Sequence, residues 1–307
     1  MRVLVTGGAG FIGSHLIRAL LDRGDAVTVL DNFDPAYDVD LKLANIAGLP
    51  IDLVEGDVRD RVAVEEALHG VDSVVHLAAK AGVRESLIHP TEYASVNVGG
   101  TVNLLEALRE RGRIPVVFAG SSSVYGEREN GPFLETDSLG LPASPYAGTK
   151  RAAEQMCHNA HLGWGQPVTV LRFFTVYGPR QRPAMAISKF IHMALEGQTI
   201  PLFGEGETRR DYTFVTDVVS AVLAAVDKPL GFGLFNVGGG RPITLSALVE
   251  AIGEATGRTI SVEHLDRQPG DVSLTWADAR AIKDALGWQA NTLLVDGLRQ
   301  TVEAINA

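Results

Sequence analysis

Cysteine is almost missing from this 307-residue chain: Cys157 stands alone, which excludes an intrachain disulfide and any cysteine-based zinc cluster. A reducing cytoplasm is the expected setting. The eight histidines show no metal-ligand spacing, so no metal is expected, and His76 reads as a strand residue with no further role. Positive charge is scarce too, with 27 Lys and Arg against 37 Asp and Glu and a net charge of -10. Such a chain has no overall field to draw nucleic acid or an anionic membrane, so an anionic ligand has to be met by particular Arg or Lys side chains. No apolar run is long enough to span a bilayer, and the opening MRVLVTGGAGFIG, with one basic residue and a short apolar stretch ending in glycines, is unlike a secretory signal. Internal repeats and low-complexity tracts are absent as well, which removes the case for a solenoid.

What is present is the composition of a soluble globular enzyme, 46% hydrophobic and 21% charged, enough for one large domain or two closely coupled ones. Short β-branched runs alternate with helical patterns through the first half, the rhythm of a parallel sheet with crossover helices. Arg2–Thr6, Ala26–Asp31, Ile51–Glu55, Asp72–Leu77, Pro115–Ser121 and Pro167–Phe174 read as strands. Helices are expected at Phe11–Arg23, Thr91–Arg111 and Pro145–Gly163. Beyond about Tyr177 the rhythm becomes irregular, with Pro-, Gly- and Arg-containing loops at Gly178–Pro183, Phe203–Arg210 and Arg267–Val272. The expectation is an α/β protein with a Rossmann-type doubly wound parallel sheet and a smaller C-terminal α/β substrate domain. Residues 1–176 would form the dinucleotide-binding part, with returns near 211–240, and residues 177–307 would mainly bind substrate.

Glycines at 7, 10 and 13 lie between the first strand and the first helix, in Thr6-Gly7-Gly8-Ala9-Gly10-Phe11-Ile12-Gly13. Glycine permits a tight turn and a close approach of backbone to a pyrophosphate at the helix N-terminus. A lone glycine turn is weak evidence. Here the strand before it, the helix after it and Asp31 at the end of the next strand, 18 positions beyond Gly13, agree. A carboxylate there accepts hydrogen bonds from ribose hydroxyls and repels a 2′-phosphate, which favours NAD over NADP. Asn32, Asp57 and Val58, then Leu77, Ala78, Ala79 and Lys80, follow further strand ends and are expected to line the adenine, ribose and phosphates of the cofactor.

Tyr146 and Lys150 stand four residues apart near the start of a helix, hence on one face. An ammonium nearby stabilises phenolate, lowering a tyrosine pKa from about 10 towards the range of a general base. Hydroxyls stand upstream in Gly120-Ser121-Ser122-Ser123-Val124-Tyr125-Gly126, at a strand end. The bland alternative is an exposed aromatic beside a solvated cation.

With Gly-x-x-Gly-x-x-Gly, the serine-rich strand end followed by Val-Tyr-Gly, and Tyr-x-x-x-Lys in this order, the chain resembles the extended short-chain dehydrogenases that modify nucleotide sugars. The likeness spans nearly the whole chain, for Leu171–Pro179, Arg210–Val215 and Gly270–Val272 also match. The resemblance implies that Tyr146 takes a sugar hydroxyl proton, that Lys150 holds the nicotinamide ribose and tunes Tyr146, and that Ser121 hydrogen-bonds the reacting hydroxyl, a role Ser123 could share or replace. It also implies cofactor contacts from Gly7, Gly10, Phe11, Ile12, Gly13, Asn97 and Phe174. Substrate contacts are implied for Arg84, Ser122, Thr175, Lys189, Arg210, Arg267 and Asp271, with Arg210 at the nucleotide phosphates. Members usually dimerise through two long helices, so a homodimer built on the helices at Thr91–Arg111 and Pro145–Gly163 is expected.

Relatives that eliminate water carry Asp-Glu after the strand-end Ser or Thr, and decarboxylating ones a Glu at the second position; here Ser122 and Ser123 stand there. The simplest fate of a keto sugar is then return of the hydride to its opposite face, which is epimerisation at C4. The segment Arg172–Ala186 resembles that of UDP-glucuronate 4-epimerases, and the likeness places Arg182 to pair with the sugar carboxylate, bidentately where geometry allows. An exposed loop arginine is the ordinary alternative. UDP-glucose 4-epimerases share Ala81–Arg84 and the same Tyr, Lys and Ser, so they are the nearest competitor. A sensor that binds NAD without chemistry on the same fold is a more distant one.

Overall fold

The computed structural model describes residues 1–266 and 271–306. In chain order it contains β1 (Arg2–Thr6), α1 (Phe11–Asp22), β2 (Ala26–Asp31), α2 (Val39–Ile46), β3 (Asp52–Glu55), α3 (Arg61–Ala67), β4 (Ser73–His76), α4 (Val83–Ile88), α5 (Pro90–Tyr93), a π-helical stretch (Ala94–Gly100), α6 (Thr101–Arg111), β5 (Val116–Ser121), a 3-10 turn (Ser122–Tyr125), α7 (Pro145–Trp164), β6 (Val168–Phe173) and β7 (Thr175–Tyr177). There follow α8 (Ala186–Leu195), β8 (Ile200–Phe203), β9 (Arg209–Arg210), β10 (Tyr212–Phe214), α9 (Val215–Asp227), β11 (Phe232–Val237), β12 (Ile243–Thr244), α10 (Leu245–Thr256), β13 (Val262–Leu265), α11 (Arg280–Leu286) and α12 (Leu294–Asn306).

Seven parallel strands form the central sheet in the order β11-β6-β5-β4-β1-β2-β3. Both faces of such a sheet are covered, so its strands read as apolar runs with residues alternating between two cores. Val3 and Val5 of β1 enter the core shared with α1, α9 and α11. Leu4, between them, enters the opposite core with α3, α6 and α7. The chain leaves β1 towards β2 and β3, then crosses back to β4 on the other side of β1. That reversal opens a crevice at the C-terminal ends of β1 and β4, where ligands of doubly wound sheets bind.

A separate apolar core joins α8, α10 and α12 to β8 and β10. Beyond Tyr177 the order of elements is irregular, as expected: among the described residues five helices lie there besides short strands, without the strict alternation of the first half. Phe203 and Arg209–Arg210, expected in a loop, close β8 and form β9, which pairs with β12 over only two residues. The helix expected from Thr91 is present but begins at Pro90 and passes through a π-helical stretch, a form often found at functional sites. Among the described residues no helix is long and apolar enough to cross a membrane.

Candidate active site

The glycine turn sits at the crevice. Gly7 has φ +71°, and a Cβ there would stand 2.8 Å from the backbone nitrogen of Ala78, at the end of β4. At Gly13 a Cβ would collide with the Gly7 carbonyl and lie 2.7 Å from Gly8 Cα, so the turn can lie flat against α1 only because neither residue has a side chain. The first turn of α1 starts at Phe11, with Gly10 before it, and leaves backbone N–H groups facing the turn. Phe11 is buried and Ile12 partly so, both in the α1 core. This cradle, open to backbone and closed to side chains, fits a dinucleotide pyrophosphate. A Gly13→Ala variant is expected to purify with little NAD, and NAD released on denaturation measures it; full occupancy would show that the cradle tolerates a methyl.

Asp31 ends β2 and is buried. Its Oδ2 accepts the Ala9 N–H at 3.0 Å and its Oδ1 the Phe33 N–H at 2.9 Å, so the carboxylate also pins the glycine turn. Burial raises its pKa, and those two bonds with the Lys42 charge counter that. Asn32 Nδ2 donates to Asp57 Oδ2 at 2.9 Å, and Arg59 grips Asp57 from the other side, which holds that carboxyl below its usual range. Val58 is buried under the π-helical stretch, where a Cβ on Gly100 would strike it. The backbone of Leu77 and Ala78 bonds to Thr6, and Ala79 and Lys80 continue the strand end. Lys80 spans the crevice mouth: its ammonium stands 2.9 Å from Asp34 and 2.8 Å from Glu92, and these partners raise its pKa against desolvation.

Asn97, on the π-helical stretch, ties three elements together. Its amide accepts the Lys80 N–H at 2.8 Å and donates to the Lys80 carbonyl and to Thr149 Oγ1, each at 3.0 Å. His76 does more than occupy a strand: it is buried between Thr6 Oγ1 at 2.7 Å and Thr101 Oγ1 at 3.1 Å, and desolvation, then the Lys150 charge, drive its pKa down to about 3. A neutral imidazole is what a site already holding Lys150 can accommodate.

Across the crevice, α7 begins at a built cap. Ser144 Oγ accepts the Ala147 N–H at 3.2 Å, Pro145 opens the helix and Gly165, left-handed, closes it. Tyr146 and Lys150 therefore occupy the first two turns of one face. Ser121, at the end of β5, lies close enough to the Tyr146 phenol to favour its ionised form. Ser121 and Ser123 hydroxyls are 2.8 Å apart, with Ser122 half-buried between them. Lys150 is buried, its ammonium 4.6 Å from the Phe118 ring centre, and desolvation pushes its pKa down to about 8, which keeps it cationic at neutrality. Burial raises the Tyr146 pKa, and the opposing contributions come from the Ser121 hydroxyl and the Arg182 charge.

Arg182 reaches this face from the loop after β7. Its Nη1 donates to the Ala81 carbonyl at 3.2 Å, and its charge also reaches the phenols of Tyr37 and Tyr93. The loop is fixed by Gln181, buried, whose Nε2 donates to the Val176 carbonyl at 2.9 Å and whose Oε1 accepts the Ser188 N–H at 3.1 Å. Phe174 is buried against Tyr125 and Phe133, and Thr175 joins β7 to β10. Arg210 pairs with Asp271 and donates to the Val272 carbonyl. Arg84 is exposed over the Phe203 ring, 5.1 Å away, and Lys189 is exposed on α8. Arg267 and Gly270 lie outside the described residues. Sequence reasoning missed Tyr37, Tyr93 and Gln181, which carry no local signal.

A doubly wound sheet with a glycine cradle at its switch point, and a Ser-Tyr-Lys set facing that cradle, defines a dinucleotide-binding α/β protein of the dehydrogenase type. Comparison with known proteins then narrows this. The chain belongs to the NAD dependent epimerase/dehydratase family, whose profile matches residues 3–238. It is 38% identical to a UDP-glucuronate 4-epimerase of Thermodesulfobacterium geofontis, over 97% of this chain and 94% of that protein. Among solved structures it superposes with TM-score 0.93 on the Bacillus cereus UDP-glucuronic acid 4-epimerase in complex with UDP-glucuronic acid and NAD, at 33% identity over 100% and 99% of the two chains. It superposes with TM-score 0.92 on a Thermotoga maritima UDP-glucose 4-epimerase with UDP-glucose, at 34% identity over 100% and 99%.

Proposed function

We propose that the protein is an NAD-dependent UDP-glucuronate 4-epimerase, interconverting UDP-glucuronate and UDP-galacturonate through a 4-keto sugar. The observation that carries this reading is Arg182, which donates to the Ala81 carbonyl from a loop tied down by Gln181 and whose charge favours the ionised form of the Tyr146 phenol. A guanidinium beside the reacting hydroxyl suits a sugar carrying a carboxylate. The relatives with UDP-glucuronate in their names support it.

In this reading the glycine cradle and Asp31 hold the cofactor, with Lys150 at the nicotinamide ribose and Phe174 near the ring. Asn97 keeps Lys80 and α7 in place around it. When bound, NAD supplies the acceptor for the hydride that leaves C4 and the donor from which it returns. Tyr146, as phenolate, takes the C4 hydroxyl proton while Ser121, assisted by Ser123, hydrogen-bonds the oxygen. Once the keto sugar has turned over, so that its opposite face would meet the returning hydride, Tyr146 gives the proton back to the C4 oxygen. Nothing is consumed. Arg210, with Asp271 beside it, meets the diphosphate, and Arg84, Thr175, Lys189 and Arg267 are assigned further substrate contacts.

Turnover in deuterated water is expected to give galacturonate with no deuterium at C4, read by NMR; deuterium there would mean that a solvent proton, not the returning hydride, rebuilds that bond. A second reading, UDP-glucose as substrate, uses the same Tyr146, Lys150 and Ser121 and is favoured by the Thermotoga maritima neighbour. We extend the proposal to a cytoplasmic homodimer packed through the helices of residues 90–111 and α7, which sedimentation as a monomer would remove.

A further inference from the structure

We propose that Arg172 is a positioning residue that holds Ser121 and Tyr146 in register from beneath. The inference rests on reading those two as the reacting pair. Arg172 projects from β6, between the strand that ends in Ser121 and β11, and is 2% exposed. Its guanidinium makes three bonds. Nε and Nη2 donate to Glu154 Oε2 and Oε1 at 2.9 and 2.6 Å, and Nη1 donates to the Tyr125 hydroxyl at 2.9 Å. The Tyr125 hydroxyl in turn donates to Asn236 Oδ1 at 2.7 Å, and Asn236 Nδ2 donates to the Phe133 carbonyl at 2.8 Å.

The placement of the partners gives the network its meaning. Glu154 lies on α7, one turn beyond Lys150 and two beyond Tyr146, so a grip on Glu154 sets the axial position and rotation of the face that carries both. Tyr125 closes the 3-10 turn that begins directly after Ser121 and contains Ser123. A single planar guanidinium thus binds the helix that presents the phenol and the turn that presents the serine hydroxyls. The fork fixes angles as well as distances, which a lysine ammonium would not.

Stability alone is a poor account of this pair, because a buried ion pair gains little over well-packed apolar residues once desolvation is counted. Fixed geometry is what it supplies, and hydrogen-bond alignment between Ser121, Tyr146 and a substrate hydroxyl is sensitive to displacements far smaller than a side chain.

The test compares Tyr125→Phe, which removes one hydroxyl and keeps the ring, with Arg172→Lys and the double variant, each assayed as purified holoenzyme with UDP-glucuronate. Expressed per bound NAD, kcat should fall about tenfold in Tyr125→Phe and further in Arg172→Lys, while KM and NAD content stay within about twofold. The double variant should be no worse than Arg172→Lys, because both act through one path. Unchanged kcat per bound NAD in Tyr125→Phe would overturn the proposal, as would losses confined to NAD content or KM. If Arg172→Lys does not fold, Tyr125→Phe decides alone. Failure of the reacting-pair reading would show separately, as full activity in Tyr146→Phe.

Discussion

Tyr146→Phe should lower kcat on UDP-glucuronate by on the order of a thousandfold while the protein still purifies with NAD, since general acid–base groups contribute in that range. The variant keeps the ring, and with it the edge contact to Tyr93, whose ring centre is 6.3 Å away. It removes only the atom that accepts and returns the proton. Burial raises the pKa of that phenol, and the Ser121 hydroxyl and Arg182 charge work against the rise. Retained NAD separates loss of chemistry from loss of the cofactor, and it also separates an enzyme from a sensor, in which Tyr146→Phe would change nothing. NAD content by absorbance and product formation by chromatography give both numbers from one preparation.

Arg182→Ala should weaken UDP-glucuronate binding by roughly tenfold to a hundredfold, the worth of a hydrogen-bonded charge pair, and should also change the product. Oxidation at C4 places the carboxylate β to a ketone. Such an acid loses carbon dioxide as the C5–C6 bonding pair passes into the enolate, which is then protonated. A guanidinium paired with the carboxylate stabilises the ionised group and opposes that loss. Release of a UDP-pentose alongside a reduced yield of galacturonate is the expected signature. Normal affinity with no pentose would remove Arg182 from the carboxylate site.

The parts of this site legible in the sequence are those built from near neighbours. The glycine turn, Asp31 at the next strand end and Tyr146 with Lys150 one helical turn apart are local arrangements, and the strands around them alternate between two cores with period two. Tertiary arrangements left no such trace. Arg172 meets Glu154, Tyr125 and Asn236 from segments far apart in the chain, and Arg182 meets the Ala81 carbonyl from 101 positions away. Lys80, expected at the cofactor, carries nothing in its surroundings to announce Asp34 and Glu92 as partners. The π-helical stretch around Asn97 carries no local signal either; at its end Gly100 passes Val58 where a Cβ would not fit. In the second half, α8, α10 and α12 have clear apolar faces that meet in one core with β8 and β10.

The central claim is the identity of the sugar, and the most direct measurement incubates purified protein separately with UDP-glucuronate and UDP-glucose and resolves the products by chromatography and NMR. Conversion of UDP-glucuronate to UDP-galacturonate, with UDP-glucose left unchanged, is the predicted result; conversion of UDP-glucose alone would keep the hydride-return chemistry and contradict the carboxylate site at Arg182.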